Sequence, residues 1–244
     1  MFTQSRSEQL VEDYGRKIVK GEIVPGEKLP KVEDISEAFG VSRTVVREAL
    51  KGLSSRKLIK SYQKVGTTVL PPSEWQWWDI DVLTWSCELE ESGEFLKHMT
   101  EVRLGIEPTA AAIAAARGTE EDFQYIYSCY QKLEEAFGDE KIWAEADYDF
   151  HKSIMMAAHN PLMSNIVQLL RKALMNSREK TVTAIQDTQE NEYTSPKEEV
   201  LKRHWEVYEA IRDRDGMKAH QKMEGLILRV NQLLHHIYKD KRLS

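Results

Sequence analysis

The segment Val41-Ser-Arg-Thr-Val-Val-Arg-Glu-Ala-Leu50 constrains this chain more than any other. Ser42 is a favourable helix N-cap, and it stands directly before Arg43, Thr44 and Arg47. Thr44 and Arg47 are three apart and Arg43 and Arg47 four apart, so all three share the leading face of one helix. Val46, Ala49, Leu50 and Leu53 supply the apolar side that anchors it. Such a helix presents a hydroxyl and two guanidinium forks from its first turns, with its positive dipole end forward. That arrangement suits phosphates and base edges.

The net charge of -6 is at odds with DNA binding until it is divided along the chain. Residues 1–70 hold 13 Lys/Arg against 9 Asp/Glu, whereas the remainder holds 21 against 31. Within Ser42–Lys64 lie seven basic residues (Arg43, Arg47, Lys51, Arg56, Lys57, Lys60 and Lys64) and one acid, Glu48. This asymmetry fits a basic nucleic-acid module joined to an acidic body. A solvated basic helix would carry the same charge, so charge alone leaves both readings open. The 244 residues allow one large domain or a small one plus a larger one. No run approaches the ~18 apolar residues of a membrane span, and Met1-Phe-Thr-Gln-Ser-Arg6 has no apolar signal core. Cys87 and Cys129 are too few for a disulfide framework and lack metal-finger spacing. The expectation is a cytoplasmic protein with no membrane partner.

Punctuation along the chain divides it. Leu10, Val11, Tyr14, Ile18 and Val19 repeat at helical spacing over residues 7–20, and Pro25-Gly26 with Pro30 breaks the pattern. Lys31–Phe39 reads as a short second helix with Val32, Ile35 and Phe39 inward, stopped at Gly40. The third helix runs from its Ser42 cap to about Lys57, close enough to the second for a helix-turn-helix. Leu58–Tyr62 and Thr67–Leu70 are β-prone, and the tip between them carries Lys64 and Gly66, which reads as a two-stranded wing. Leu70-Pro-Pro-Ser73 is a linker. Trp75, Trp77, Trp78 and Trp85 follow, and Trp77, Ile80, Val82 and Leu83 have the spacing of a helix that packs between domains. Beyond Gly93 only helices are expected: Phe95–Arg117, with Pro108 inside it, then Glu120–Phe137, Glu140–His159, Leu162–Ile185, Lys197–Arg214 and Met217–Lys239. The fold class is mainly α. Residues 1–70 form a winged helix-turn-helix, 71–92 a linker and Trp-rich helix, and 93–239 an all-helical antiparallel bundle.

That bundle carries polar residues at inward positions. Asp147 and His151 are i, i+4 on one helix face that Ile154 and Ala158 continue. A carboxylate and an imidazole one turn apart converge well enough to share a divalent cation, although a surface ion pair has the same spacing. His204 lies on a later helix with Tyr208 and Ile211 on its inward side. Arg103 and Glu107, also i, i+4, read most simply as an intrahelical salt bridge. His98, His159, His220, His235 and His236 have no spacing that links them to this set.

Taken together, the two halves resemble regulators of the GntR superfamily, in the branch with an FCD ligand-binding domain. The first half carries Gly26-Glu-Lys-Leu-Pro30, Ser42 to Leu50, Leu58-Ile59 and Gly66-Thr67. The second carries Glu101-Val-Arg103 with Glu107-Pro108, Asp147-Tyr-Asp-Phe-His151, Asn160-Pro161 and His204. The Trp75 to Trp85 segment resembles the family's sugar-acid group. The resemblance implies that Ser42, Arg43, Thr44 and Arg47 meet bases and phosphates of double-stranded operator DNA, with Lys64 and Gly66 as the wing contact. Glu33 stands where family members often have Arg, so no phosphate contact is expected from it. The family's metal-binding type uses an Asp and a His four apart and two further His. Asp147, His151 and His204 match the first three, and Leu226 occupies the expected fourth position. Two readings stay open. Asp147, His151 and His204 hold a divalent metal such as Zn²⁺, completed by water or effector, or they hydrogen-bond a polyhydroxy acid directly. In the second reading Arg103, and more weakly Arg229, would neutralise the acid group.

The expected function is thus a homodimeric transcription regulator, a repressor that a small carboxylated effector such as an aldonate or uronate releases from its operator. The competing class is a metal-dependent enzyme acting on a small carboxylate at Asp147, His151 and His204. That class lacks a general base beside the site other than Glu107, and it leaves the basic helix unexplained.

Overall fold

A computed structural model of the chain describes residues 4–89, 93–136, 139–175 and 197–240. The chain divides into two compact units between residues 90 and 91.

The first unit begins with α1 (Arg6–Val19), which Ser5 and Glu8 start with a reciprocal capping box. Helix α2 (Val32–Phe39) ends on Gly40 in the left-handed conformation, φ 61°, a conformation that glycine adopts without steric cost. Helix α3 (Arg43–Ser55) is capped by Ser42, whose Oγ accepts from the Val45 amide. Strands β1 (Ile59–Tyr62) and β2 (Gly66–Val69) pair antiparallel, with Ile59 opposite Val69 and Tyr62 opposite Gly66. Lys64 and Gly66 turn the hairpin with positive φ of 65° and 112°. The other edge of β2 is covered by the Gly26–Leu29 segment, where Gly26 donates to the Val69 carbonyl and Leu29 to that of Thr67. The winged helix expected from the sequence is therefore present, with no boundary moved by more than about two residues.

Two features of the first unit differ from expectation. Phe39 does not turn inward. It is 41% exposed and lies against the Tyr14 ring at 6.0 Å, because the helix ends at Gly40 before the core closes over it. The Trp-rich segment also differs. Helix α4 spans Ile80–Leu89, so Trp77 precedes it, and Ile80 on its first turn is exposed. Trp75, Val82 and Trp85 instead pack into the same core as Leu10, Ile18 and Leu53. Helix α4 lies so close to α1 that a Cβ on Gly15 would come within 2.3 Å of the Trp85 ring.

In the second unit, α5 (Glu94–Arg117) runs unbroken through Pro108, which deprives the Leu104 carbonyl of its helical donor. It is followed by α6 (Glu120–Glu135), α7 (Glu140–Ala157), α8 (Pro161–Leu169), α9 (Lys197–Arg212) and α10 (Gly216–Asp240). A turn at Leu170 divides the helix expected over Leu162–Ile185, and its part beyond residue 175 lies outside the described residues. Caps repeat the local logic: Thr119 with Asp122 starts α6, Asp139 starts α7 and Asn160 starts α8. Helix α5 packs chiefly on α10, α6 on α7, and α9 on α10. The alanines of α5, Ala110, Ala111, Ala114 and Ala115, are fully buried and let the helices approach closely. Phe123, Ile126, Phe150, Ile154, Ile211 and Ile227 fill the core. Among the described residues no helix is long and apolar enough to cross a membrane.

The Gly15 approach gives a direct test of how α4 is held. Gly15→Ala should lower the stability of the first unit by about 1–3 kcal/mol through overpacking against Trp85. Gly105→Ala, where a Cβ meets open space, should be neutral or gain up to ~1 kcal/mol from helix propensity. Thermal unfolding of both variants beside the wild type checks this.

Candidate functional site

Two groups of residues stand out, one in each unit. On the first, Ser42, Arg43, Thr44 and Arg47 are all exposed on the leading face of α3. Val46, Ala49 and Leu53 are buried behind them. The Ser42 oxygen already accepts the Val45 amide at 3.3 Å, which leaves its O–H hydrogen and one lone pair for a ligand. Lys64 and Gly66 are exposed at the wing tip. Glu33 lies beside this face, with its Oε1 3.5 Å from Arg43 Nη1. The residue whose charge set it apart in the sequence therefore faces one of the two guanidinium forks on α3.

In the second unit the polar residues are buried and converge from three helices. Helix α7 brings Asp147 and His151, α5 brings Arg103 and Glu107, and α9 brings His204. Arg103, Glu107, His151 and His204 are each 7% exposed or less. Arg103 Nε donates to Glu107 Oε1 at 2.6 Å, and Nη2 approaches Oε2 at 3.4 Å. The other Glu107 oxygen, Oε2, is also 2.6 Å from His151 Nδ1, although off the line of a well-aligned hydrogen bond. Burial alone would raise the Glu107 carboxyl, but Arg103 and then His151 outweigh it and hold the group well below the usual carboxylate range. Glu107 is therefore a firmly ionised partner and a poor general base.

The histidines follow from their neighbours. Burial is the largest influence on His151 and outweighs Glu107 and Asp147, so its pKa is lowered and the ring is neutral near pH 7. With Glu107 at Nδ1, the His151 lone pair is at Nε2, which faces Arg103 Nη2 at 3.5 Å and Asp147 Oδ1 at 3.9 Å. His204 Nδ1 is 2.8 Å from the Val200 carbonyl, which can only accept, so Nδ1 carries the hydrogen. Its Nε2 points at Asp147 Oδ1, 3.0 Å away. A neutral His204 would thus set a lone pair against a carboxylate oxygen. A second proton on the ring, or a cation, resolves that conflict.

The donor set fits a divalent metal. One ligand atom from each of Asp147, His151 and His204 lies within 4.8 Å of the others. Tetrahedral bonds of about 2.0–2.1 Å would need ligand separations of roughly 3.3 Å, which the 3.0 and 3.9 Å distances to Asp147 bracket. Glu107 at His151 and the Val200 carbonyl at His204 stand where outer partners would orient the two imidazoles toward a metal. Phe150 walls the site, edge-on to both rings.

Arg229 is half-buried on α10 and donates from Nη1 to Gln232 on its own helix. Leu226 is buried in the apolar core of the bundle. What spacing missed was the contact of Glu107, read as the salt-bridge partner of Arg103 and as the enzyme reading's candidate base, with His151. Its link to His151 crosses from α5 to α7, and an i, i+4 pattern on one helix carries no sign of it. His159, given no role from sequence, pairs with Asp122 at 2.8 Å near the start of α6.

Comparison with known proteins gives the same two-part division. Residues 6–69 match the bacterial regulatory proteins of the gntR family, and residues 98–229 match the FCD domain. The galactonate operon transcriptional repressor of Escherichia coli (strain K12) is 30% identical over 223 residues, covering 90% of this chain and 93% of that protein. The Glc operon transcriptional activator of the same strain is 28% identical over 237 residues, covering 94% and 89%. The solved structure of Lar, described as controlling the expression of the Listeria monocytogenes agr system, shares the fold. Its TM-score is 0.58 at 19% identity, over 97% of this chain and 99% of that one. These families and relatives are transcription regulators rather than enzymes.

The buried charges make one sharp prediction. Glu107→Ala leaves the Arg103 guanidinium without its carboxylate and should cost about 3–5 kcal/mol. Glu107→Gln keeps an acceptor and should cost less. Denaturant unfolding of the two variants, compared at a common denaturant slope, reads the difference.

Proposed function

The chain belongs to the GntR family of bacterial regulatory proteins, with an FCD domain, and from that premise we propose that it is a homodimeric, effector-released repressor of the cytoplasm. Ser42, Arg43, Thr44 and Arg47 on α3 read one half of a two-fold operator, and Lys64 and Gly66 at the wing tip add backbone contacts. The effector is a small carboxylated molecule, a sugar acid such as an aldonate or uronate, and it binds among Arg103, Asp147, His151 and His204, with Arg229 contributing charge. One observation carries this reading. A bundle that needed only to be stable would not bury an Arg, a Glu and two His at one place, because each buried ion costs several kcal/mol before its partners repay any of it. A polar cluster enclosed by helices is the form that a small-ligand site takes.

Asp147, His151 and His204 would hold a divalent cation, which when bound supplies a Lewis-acidic anchor for the effector's carboxylate or hydroxyl. Arg103 stands 3.5 Å from His151 and offers the acid group a fixed positive charge. The relatives include both a repressor and an activator; repression is favoured by the galactonate operon repressor, to which the chain is 30% identical. Release follows if the effector prefers a dimer arrangement that fits the operator poorly. The size of that preference sets the loss of affinity.

Two measurements test the two halves separately. Arg47→Ala should abolish specific operator binding in a gel shift at fixed salt while the thermal response to effector is unchanged. Equal operator affinity in the variant would remove α3 as the reading helix. In a thermal-shift screen of aldonates and uronates with and without Zn²⁺, the wild type should gain melting temperature with at least one acid. Asp147→Ala and His204→Ala should lose that gain. A normal response in both variants would remove the pocket.

A further inference from the structure

Seven basic side chains lie within Ser42–Lys64, and six of them are exposed. The exception is Arg56, the C-cap residue of α3, whose side chain is only 20% exposed. Its guanidinium is fully engaged inside the first unit. Nε donates to Asp79 Oδ1 at 3.1 Å, Nη2 to Asp81 Oδ2, and Nη1 to the Gly52 carbonyl at 2.9 Å. Its own carbonyl accepts from the Gln76 amide at 2.9 Å, and its guanidinium lies over the Trp85 ring. Asp79 works on the other side as well, since its Oδ1 also accepts from the Asp81 and Val82 amides and so caps α4. One side chain therefore joins the last turn of α3 to the first turn of α4. Those helices follow each other only through the wing and the proline segment, so no short stretch of chain holds these two ends together.

We propose that Arg56 is a positioning residue for operator reading: it touches no DNA, and it fixes α3 to α4 so that the aim of Arg43, Thr44 and Arg47 depends on where α4 sits. The lever arm makes this matter. Arg43 and Arg56 are separated by about 20 Å of helix at 1.5 Å per residue, so a tilt of about 5° at the Arg56 end moves the reading residues by more than ~1 Å. Hydrogen bonds to base edges tolerate far less than that, whereas contacts to phosphate from long side chains adapt. Helix α4 ends at Leu89, and α5 of the effector unit begins at Glu94.

This rests on α3 being the reading helix, and the test separates the two claims. The full-length wild type selects a duplex from a random-sequence library. Affinities for that duplex and for a scrambled one are then measured by fluorescence anisotropy across a KCl series. The variants are Arg47→Ala, Arg56→Ala and the double Asp79→Asn/Asp81→Asn, in which Asn still caps α4. Arg56→Ala should lose about tenfold or more on the selected duplex with an unchanged salt slope, since no phosphate contact is removed. The Asn double variant should lose selected-duplex affinity too, although it is two charges more positive, and should bind scrambled DNA as well as the wild type or better. A salt slope smaller by about one in Arg56→Ala would make Arg56 a phosphate contact and overturn the proposal. Equal loss on both duplexes, or tighter selected binding by the double variant, would overturn it as well. Selectivity kept in Arg47→Ala removes the α3 reading and this proposal with it. Selectivity lost there but kept in Arg56→Ala removes the proposal alone.

Discussion

An ionised guanidinium cannot lie inside a helical bundle without an ionised partner, and the second unit is organised around that constraint at Arg103. Its partner is Glu107, one turn along α5, which Arg103 holds in the charged form. The same carboxylate faces Nδ1 of His151 across the gap to α7. That contact decides which nitrogen of His151 is left to face Asp147, and Asp147 in turn meets His204 on α9. Each link depends on the one before it. Three helices are thereby referred to one another by charge and hydrogen bonding rather than by apolar packing alone. Such networks contribute little net stability, because the cost of desolvating the ions offsets their attraction. What they supply is a fixed arrangement of donors and lone pairs, which is the requirement of a ligand site and not of a core.

The first unit uses charge in the opposite manner. Its cations stand in solvent along α3 and at the wing, where a phosphate backbone can displace their water, while the core beneath them is apolar. Arg56 alone turns inward, to two aspartates at the start of α4. Residues 1–70, with 13 Lys/Arg against 9 Asp/Glu, and the acidic remainder thus differ not only in sign but in where their charges are kept. Exposed charges suit a long polyanion, and buried charges suit a small ligand whose groups meet them at hydrogen-bond distance.

Most of the helices were legible because their signals are local. Ser42, Thr119 and Asn160 cap helices as their residue types require, and Gly40 ends one with a positive φ. The i, i+4 spacing of Asp147 and His151 was enough to place both on one inward face. The readings that failed concern what covers a residue, not what conformation it adopts. Phe39 and Ile80 have apolar spacing, yet both are exposed, because one lies at a helix end and the other on a first turn. Trp85 was expected at a boundary between domains and is instead pressed against Gly15 in the core of the winged helix.

By itself, then, the sequence determined the elements: a capped basic helix, a wing, an acidic set of amphipathic helices, and the families to which those motifs belong. These follow from interactions within a few residues, where spacing and geometry are the same thing. Only the tertiary structure decided that Glu107 serves His151 as well as Arg103, and that His204 meets Asp147 from 57 residues away. It also decided that Arg56 turns inward to Asp79 and Asp81. Those outcomes depend on which helices lie side by side. A charge pattern on one helix carries no record of the carboxylate that will face it from another.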